Sequence, residues 1–159
     1  MDLKTVFLTE YSNLVRYLIL QGATPHEADD AIQAAFEQAL PRWPTLTNPR
    51  AWLYTVARRK FLSGEVQFRL RETPADDFDS AVAASTDDPL AYTVRVAMVT
   101  QAIQILPINQ RNIMGLTIAG FSAGEIAEIL GSTDAAVRQT LYRARITLNE
   151  QMNAWKETS

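Results

Sequence analysis

Residues 121–148 read FSAGEIAEILGSTDAAVRQTLYRARITL, and this stretch decides the fold. Ser122 followed by Glu125 is a capping box, in which serine and glutamate side chains satisfy each other's backbone N–H groups at the start of a helix. Ile126, Ile129 and Leu130 then form an apolar stripe, and Gly131 supplies a tight turn. Ser132 or Thr133 caps a second helix, along which Val137, Leu141, Ala144 and Leu148 recur at spacings of three and four. Two helices joined by a glycine turn make a helix-turn-helix.

The opposite face of the second helix carries the chemistry. At about 100° per residue, Ala135, Arg138, Gln139 and Tyr142 point away from the stripe, flanked by Arg143 and Arg145. Arginine and glutamine can grip base edges through paired hydrogen bonds, while flanking arginines neutralise phosphates. Thr133, at the helix start, completes the candidate DNA-reading set. An ordinary helical hairpin with a solvated basic face has the same pattern.

Working outward, cap signals recur and strand signals are scarce. Thr24-Pro25-His26-Glu27 combines a capping threonine, a proline at the first helical position and a capping glutamate. Asn48-Pro49 and Asp88-Pro89 repeat the cap-then-proline pair. Each is followed by apolar residues at helical spacing: Ile32, Phe36, Ala39 and Leu40; then Leu53, Val56, Ala57 and Phe61; then Val94, Met98, Ile103 and Leu106. The expectation is an all-α protein of two small helical domains, residues 1–63 and 90–159. Residues 64–89 between them, rich in Asp, Ser, Ala and Thr, read as a flexible acidic linker in which Phe68, Leu70 and Phe78 are apolar exceptions.

The net charge of −3 on 159 residues at first argues against nucleic acid, but its distribution reverses that conclusion. Residues 1–63 hold seven basic and six acidic side chains, residues 93–159 six and five, and residues 64–92 two and seven. The acidity belongs to the middle, and each flanking lobe stands near +1. Neither lobe is basic enough for tight unaided DNA binding.

Two N-terminal stretches carry further candidates. On residues 26–40, HEADDAIQAAFEQAL, an Ile32/Phe36/Ala39 stripe faces inward and Asp30, Gln33 and Glu37 face outward. That outer face could meet a partner, but by itself such a face is more often plain solvated surface. On residues 48–63, NPRAWLYTVARRKFLS, Arg58, Arg59 and Lys60 lie beside Trp52, Tyr54 and Phe61. Cations beside aromatic rings suit single-stranded DNA, where phosphates need charge and unstacked bases need flat surfaces. The alternative is that Trp52 and Phe61 are core, and for Trp52 the two readings weigh equally.

Taken together, Leu106-Pro107, Gln110-Arg111, GFSAGEIAEILG and AVRQTLYRAR resemble region 4 of the extracytoplasmic-function sigma factors. Residues 26–40 are similar to that family's region 2 helix that binds the polymerase clamp, with Asp29, Asp30, Gln33 and Phe36 on its motif and Glu37 beside them. Residues 48–63 resemble its promoter-melting segment. The chain departs from the pattern at Ala34, Arg59, Ser63 and Thr140. The resemblance implies a promoter-reading subunit with core RNA polymerase as partner, through its β′ clamp and β flap. Region 2 would read and melt the minus-ten element and region 4 would read the minus-thirty-five element. It implies that the linker threads a basic channel of the enzyme, and it leaves an anti-sigma partner open.

Other chemistry finds little support. His26 is the only histidine, cysteine is absent, and Asp76, Asp77 and Asp79 lack the spacing and glycine of a calcium loop. No metal, cofactor or catalytic residue is expected. No apolar run reaches membrane-spanning length, and the interrupted N-terminus does not read as a signal peptide, so a cytoplasmic protein is the expectation. Two rivals remain: a stand-alone helix-turn-helix regulator, which leaves the N-terminal stretches unexplained, and a helical adaptor that binds polymerase without initiating.

Overall fold

A computed structural model describes residues 2–69 and 89–158, and all regular structure among them is helical. The chain divides into two compact units, the first ending at Ala81 and the second beginning at Val82.

In the first unit α1 (Leu3–Leu20), α2 (Pro25–Ala39) and α3 (Pro49–Arg69) form a three-helix bundle with α2 packed on both others. Each start is capped. Asp2 accepts the Thr5 N–H at 2.7 Å, the Thr24/Glu27 box closes with bonds of 2.9 and 3.1 Å, and Asn48 accepts the Ala51 N–H at 3.2 Å. Between α1 and α2 the chain turns at Gly22, whose φ of 106° is a backbone angle that residues with a Cβ rarely adopt. After Ala39 the helix tightens into a short 3-10 segment, Leu40–Thr45, because Pro41 and Pro44 cannot donate to an α ladder. The core joins Leu14, Tyr17 and Leu18 of α1, Ile32 and Phe36 of α2, and Leu53, Tyr54 and Phe61 of α3. Ala28, Ala31, Ala35 and Ala39 of α2 are also buried and let the helices approach closely.

In the second unit α4 (Pro89–Gln104), α5 (Ile108–Ile118), α6 (Ala123–Leu130) and α7 (Asp134–Thr158) surround Ala102, Ile103, Leu106, Ile113, Leu116, Phe121, Ile126, Val137 and Ala144. α7 touches all three of the others. Burying these side chains contributes about 1.5–3 kcal/mol for each large aliphatic or aromatic residue.

Three expectations are corrected. α3 continues through Arg69 and takes in residues 64–69, which read as linker, because a lone Gly64 costs only about 1 kcal/mol in a helix and no proline occurs before Pro74. Leu40 and Leu130, expected on buried stripes, are 59% and 40% exposed, and each stands at the C-terminal end of its helix. Val94, expected inward on α4, is half exposed, because α4 is covered on one side only within its unit. The rest of the expected linker, with Leu70, Phe78 and the acids Glu72, Asp76, Asp77, Asp79, Asp87 and Asp88, lies outside the described residues. Among the described residues no helix is long and apolar enough to cross a membrane.

Candidate nucleic-acid and polymerase interfaces

The helix-turn-helix forms as its side chains dictate. Ser122 accepts the Glu125 N–H at 3.2 Å and the Glu125 carboxylate accepts the Ser122 N–H at 2.9 Å, which fixes the start of α6. Gly131 ends it at φ 65°, ψ 38°. The Ser132 N–H donates back to the Ala127 carbonyl at 2.8 Å, the closing bond of a left-handed helix stop. Thr133 is the cap of α7, accepting the Ala136 N–H at 3.1 Å. Val137 and Ala144 are fully buried and hold α7 against its unit, with Leu141 and Leu148 half-buried beside them. That anchorage turns Thr133, Ala135, Arg138, Gln139, Tyr142, Arg143 and Arg145 outward, and all seven are exposed. Tyr142 keeps 65% of its surface accessible, unusual for so large a ring. Arg138 meets Asp134 one turn earlier, at 3.6 Å.

On α2, Asp30, Gln33 and Glu37 form an exposed polar row. Asp30 lies 3.5 Å from His26, an exposed pair. Asp29 and Phe36 differ from that row. Asp29 is half-buried and accepts a hydrogen bond from the Tyr11 hydroxyl of α1, which burial, then Asp29 itself, pushes up to about 12. Phe36 is buried edge-on against Phe7, ring centroids 4.9 Å apart, so it supports the face from beneath.

The α3 candidates separate likewise. Arg59 and Lys60 are exposed, and Trp52 is half-buried. Arg58 is half-buried beside Tyr17, its Nε enclosed without a hydrogen-bond partner among the described residues. Tyr54 and Phe61, expected among the DNA contacts, are core residues at 0% and 4% exposure. Rings so enclosed offer no base a stacking surface. They share one face with Ala57 at spacings of three and four, a signal present in the sequence but outweighed by the nearby arginines.

Sequence reasoning missed a network that sets α3 on α1. The Arg50 Nε donates to Glu10 at 3.0 Å, and the Tyr54 hydroxyl donates to the other Glu10 oxygen at 3.4 Å. The Arg50 guanidinium stands 5.3 Å from the Tyr54 ring centroid, within reach of its negative face. Tyr17 packs on Tyr54 at 5.0 Å. Burial raises both tyrosine hydroxyls well above their ordinary range, and the Glu10 charge raises Tyr54 further. Arg50 and Tyr54 sit one turn apart, a visible spacing, but Glu10 lies 40 residues upstream of Arg50 and nothing local marks it.

Comparison with known proteins places these units. The Sigma-70 region 2 family matches residues 7–69 and the Sigma-70 region 4 family residues 97–148. RNA polymerase sigma factor YlaC of Bacillus subtilis is 27% identical over 98% of this chain and 95% of its own length. ECF RNA polymerase sigma factor SigD of Mycobacterium tuberculosis is 33% identical over 80% of the chain and 64% of its own, and BldN of Streptomyces coelicolor is 30% identical over 87% and 56%. The chain thus spans nearly all of YlaC and a little over half of BldN. Among solved structures, the sigma factor RpoE of Bartonella quintana, crystallised with the anti-sigma factor NepR, aligns over 94% of this chain and 96% of its own with a TM-score of 0.70 at 23% identity. CnrH, in complex with the cytosolic domain of CnrY, aligns over 96% and 88%, also at 0.70, with 22% identity. With region 2 on the first three-helix unit and region 4 on the helix-turn-helix unit, the chain belongs to the sigma-70 family, among its extracytoplasmic-function sigma factors.

Proposed function

We propose that this sigma factor, which binds core RNA polymerase and directs initiation at promoters, divides that work among three named surfaces. The exposed row Asp30, Gln33 and Glu37 docks on the polymerase clamp, with Asp29 held by Tyr11 and Phe36 buttressing from below. Arg59 and Lys60, with Trp52 and the partly sheltered Arg58, receive the unpaired strand at the minus-ten element. α7 enters the major groove of the minus-thirty-five element, where Arg138 and Gln139 read bases, Ala135 and Tyr142 make apolar contact, and Thr133, Arg143 and Arg145 hold phosphates. The observation that carries this reading is the outward row on α7, fixed by the fully buried Val137 and Ala144 on its other side. Residues 1–63 and 90–159 act as the two functional lobes, and residues 64–89 as the tether, the first part of which continues α3 as far as Arg69.

The protein works in the cytoplasm beside its polymerase, and the bond-making chemistry is the polymerase's. The anti-sigma complex of the structural neighbour RpoE supports a partner of that kind here too. Run-off transcription on genomic fragments, with core enzyme and the full chain, tests the proposal. Specific transcripts should require both. Duplex binding that is strong and selective without core enzyme would instead mark a stand-alone regulator, and polymerase binding without transcripts an adaptor.

A further inference from the structure

The reading of bases by Arg138 leaves open what aims its guanidinium. The side chain is long and 71% exposed. It has many rotamers, and fixing one on a base edge costs conformational entropy at the moment of binding. Asp134, the first residue of α7, is the charged group that stands beside it before DNA arrives. Its Oδ2 lies 3.6 Å from the Arg138 Nη2. The carboxylate lies near the first turn of α6: a Cβ built on Gly124 would stand 3.6 and 3.7 Å from its two oxygens. Its backbone is fixed between the Thr133 cap and the buried Val137.

We infer that Asp134 is a specificity-determining positioning residue, which holds the Arg138 guanidinium edge toward the base that Arg138 reads. This rests on the assignment of α7 as the promoter-reading helix. Nη2 carries two hydrogens, so one edge of the guanidinium can stay turned toward the Asp134 charge while the other Nη2 hydrogen joins Nη1 in the paired hydrogen bonds that guanine O6 and N7 accept. In water an exposed pair of this kind is worth little, but in a groove that excludes water it strengthens. The same carboxylate repels nearby phosphates, so Asp134 opposes binding to DNA in general while sharpening the choice among sequences. An acid that merely stabilised the start of the helix would affect every base position alike.

The test uses the full chain with core RNA polymerase in competitive run-off transcription, on promoters permuted singly through the upstream element. Arg138→Ala comes first and should abolish discrimination at one position. Asp134→Ala should then reduce discrimination at that position about three- to tenfold, a part of what the whole bidentate contact provides. Asp134→Glu, which keeps a carboxylate one turn from Arg138, should restore it. In the Arg138→Ala background Asp134→Ala should change nothing further, while fluorescence anisotropy shows the Asp134→Ala chain binding random duplex more tightly at low salt. If Arg138→Ala leaves every position unchanged, base reading by Arg138 falls and the inference falls with it. If Arg138→Ala is selective but Asp134→Ala is silent, acts at all positions, or acts without Arg138, the positioning role alone is overturned.

Discussion

Tyr11 shows how one side chain serves two purposes. Its hydroxyl holds Asp29 at the edge of the outward face of α2, and its ring lies 5.4 Å from Phe7, which in turn packs on Phe36. The shift has a definite sign. The proton is held more tightly in the folded chain, so the stabilisation is complete below the ordinary tyrosine value of 10 and is lost as pH rises through about 12. Thermal unfolding followed from about pH 9 to about pH 12 should therefore show a falling midpoint. Tyr11→Phe should make that fall shallower without removing it, because Tyr17 and Tyr54 in the same unit are raised too. An unchanged slope in Tyr11→Phe would mean that the hydroxyl is not engaged in solution.

At the scale of elements, the joint between α1 and α3 depends on a carboxylate with two partners. Glu10→Gln keeps its size but removes the charge opposite Arg50, and chemical denaturation should show a loss of about 1–3 kcal/mol. A double-mutant cycle with Arg50→Met should give a coupling of at least about 0.5 kcal/mol, since the pair is largely sheltered from water. The outward face of α2 should behave in the opposite manner. Asp30→Lys with Gln33→Lys should leave helical circular dichroism intact and abolish co-elution with core polymerase, because both side chains are exposed and neither supports the core. What the sequence disclosed at this scale follows the range of the physics. Caps at Thr24, Asn48 and Ser122 and the stop at Gly131 are local, set by neighbours three or four residues away, and each is where the pattern put it. The outward row on α7 was legible for the same reason. The Glu10–Arg50 pair and the enclosure of Arg58 depend on how α1 lies against α3, and no local spacing encodes that.

At the scale of the whole molecule, charge decides how the protein can meet DNA. Each lobe is near +1 and the chain as a whole is −3, so the free protein has few phosphates it can neutralise. Anisotropy with a random duplex at physiological salt should give a dissociation constant no tighter than about 1 μM for the free chain, with affinity falling steeply as salt is added. Reconstitution with core enzyme should bring tight promoter binding, because once one lobe is held the tether raises the local concentration of the other. Tight duplex binding by the free chain would contradict this division of labour.

The alanines of α2 have a consequence for how such a protein can change over generations. Ala28, Ala31, Ala35 and Ala39 fill the seam between helices. Any added methylene there forces the neighbours apart at a cost of about 1–3 kcal/mol. The residues between them, Asp30, Gln33 and Glu37, face solvent in the isolated chain. Mutational cost is therefore sharply partitioned around a single helix: one side is nearly immutable, and the other can be rewritten at almost no expense to folding. If that face is the proposed polymerase dock, a lineage that duplicates this gene can retune the strength with which each copy competes for a shared polymerase, one surface substitution at a time, without first having to re-solve the packing problem underneath.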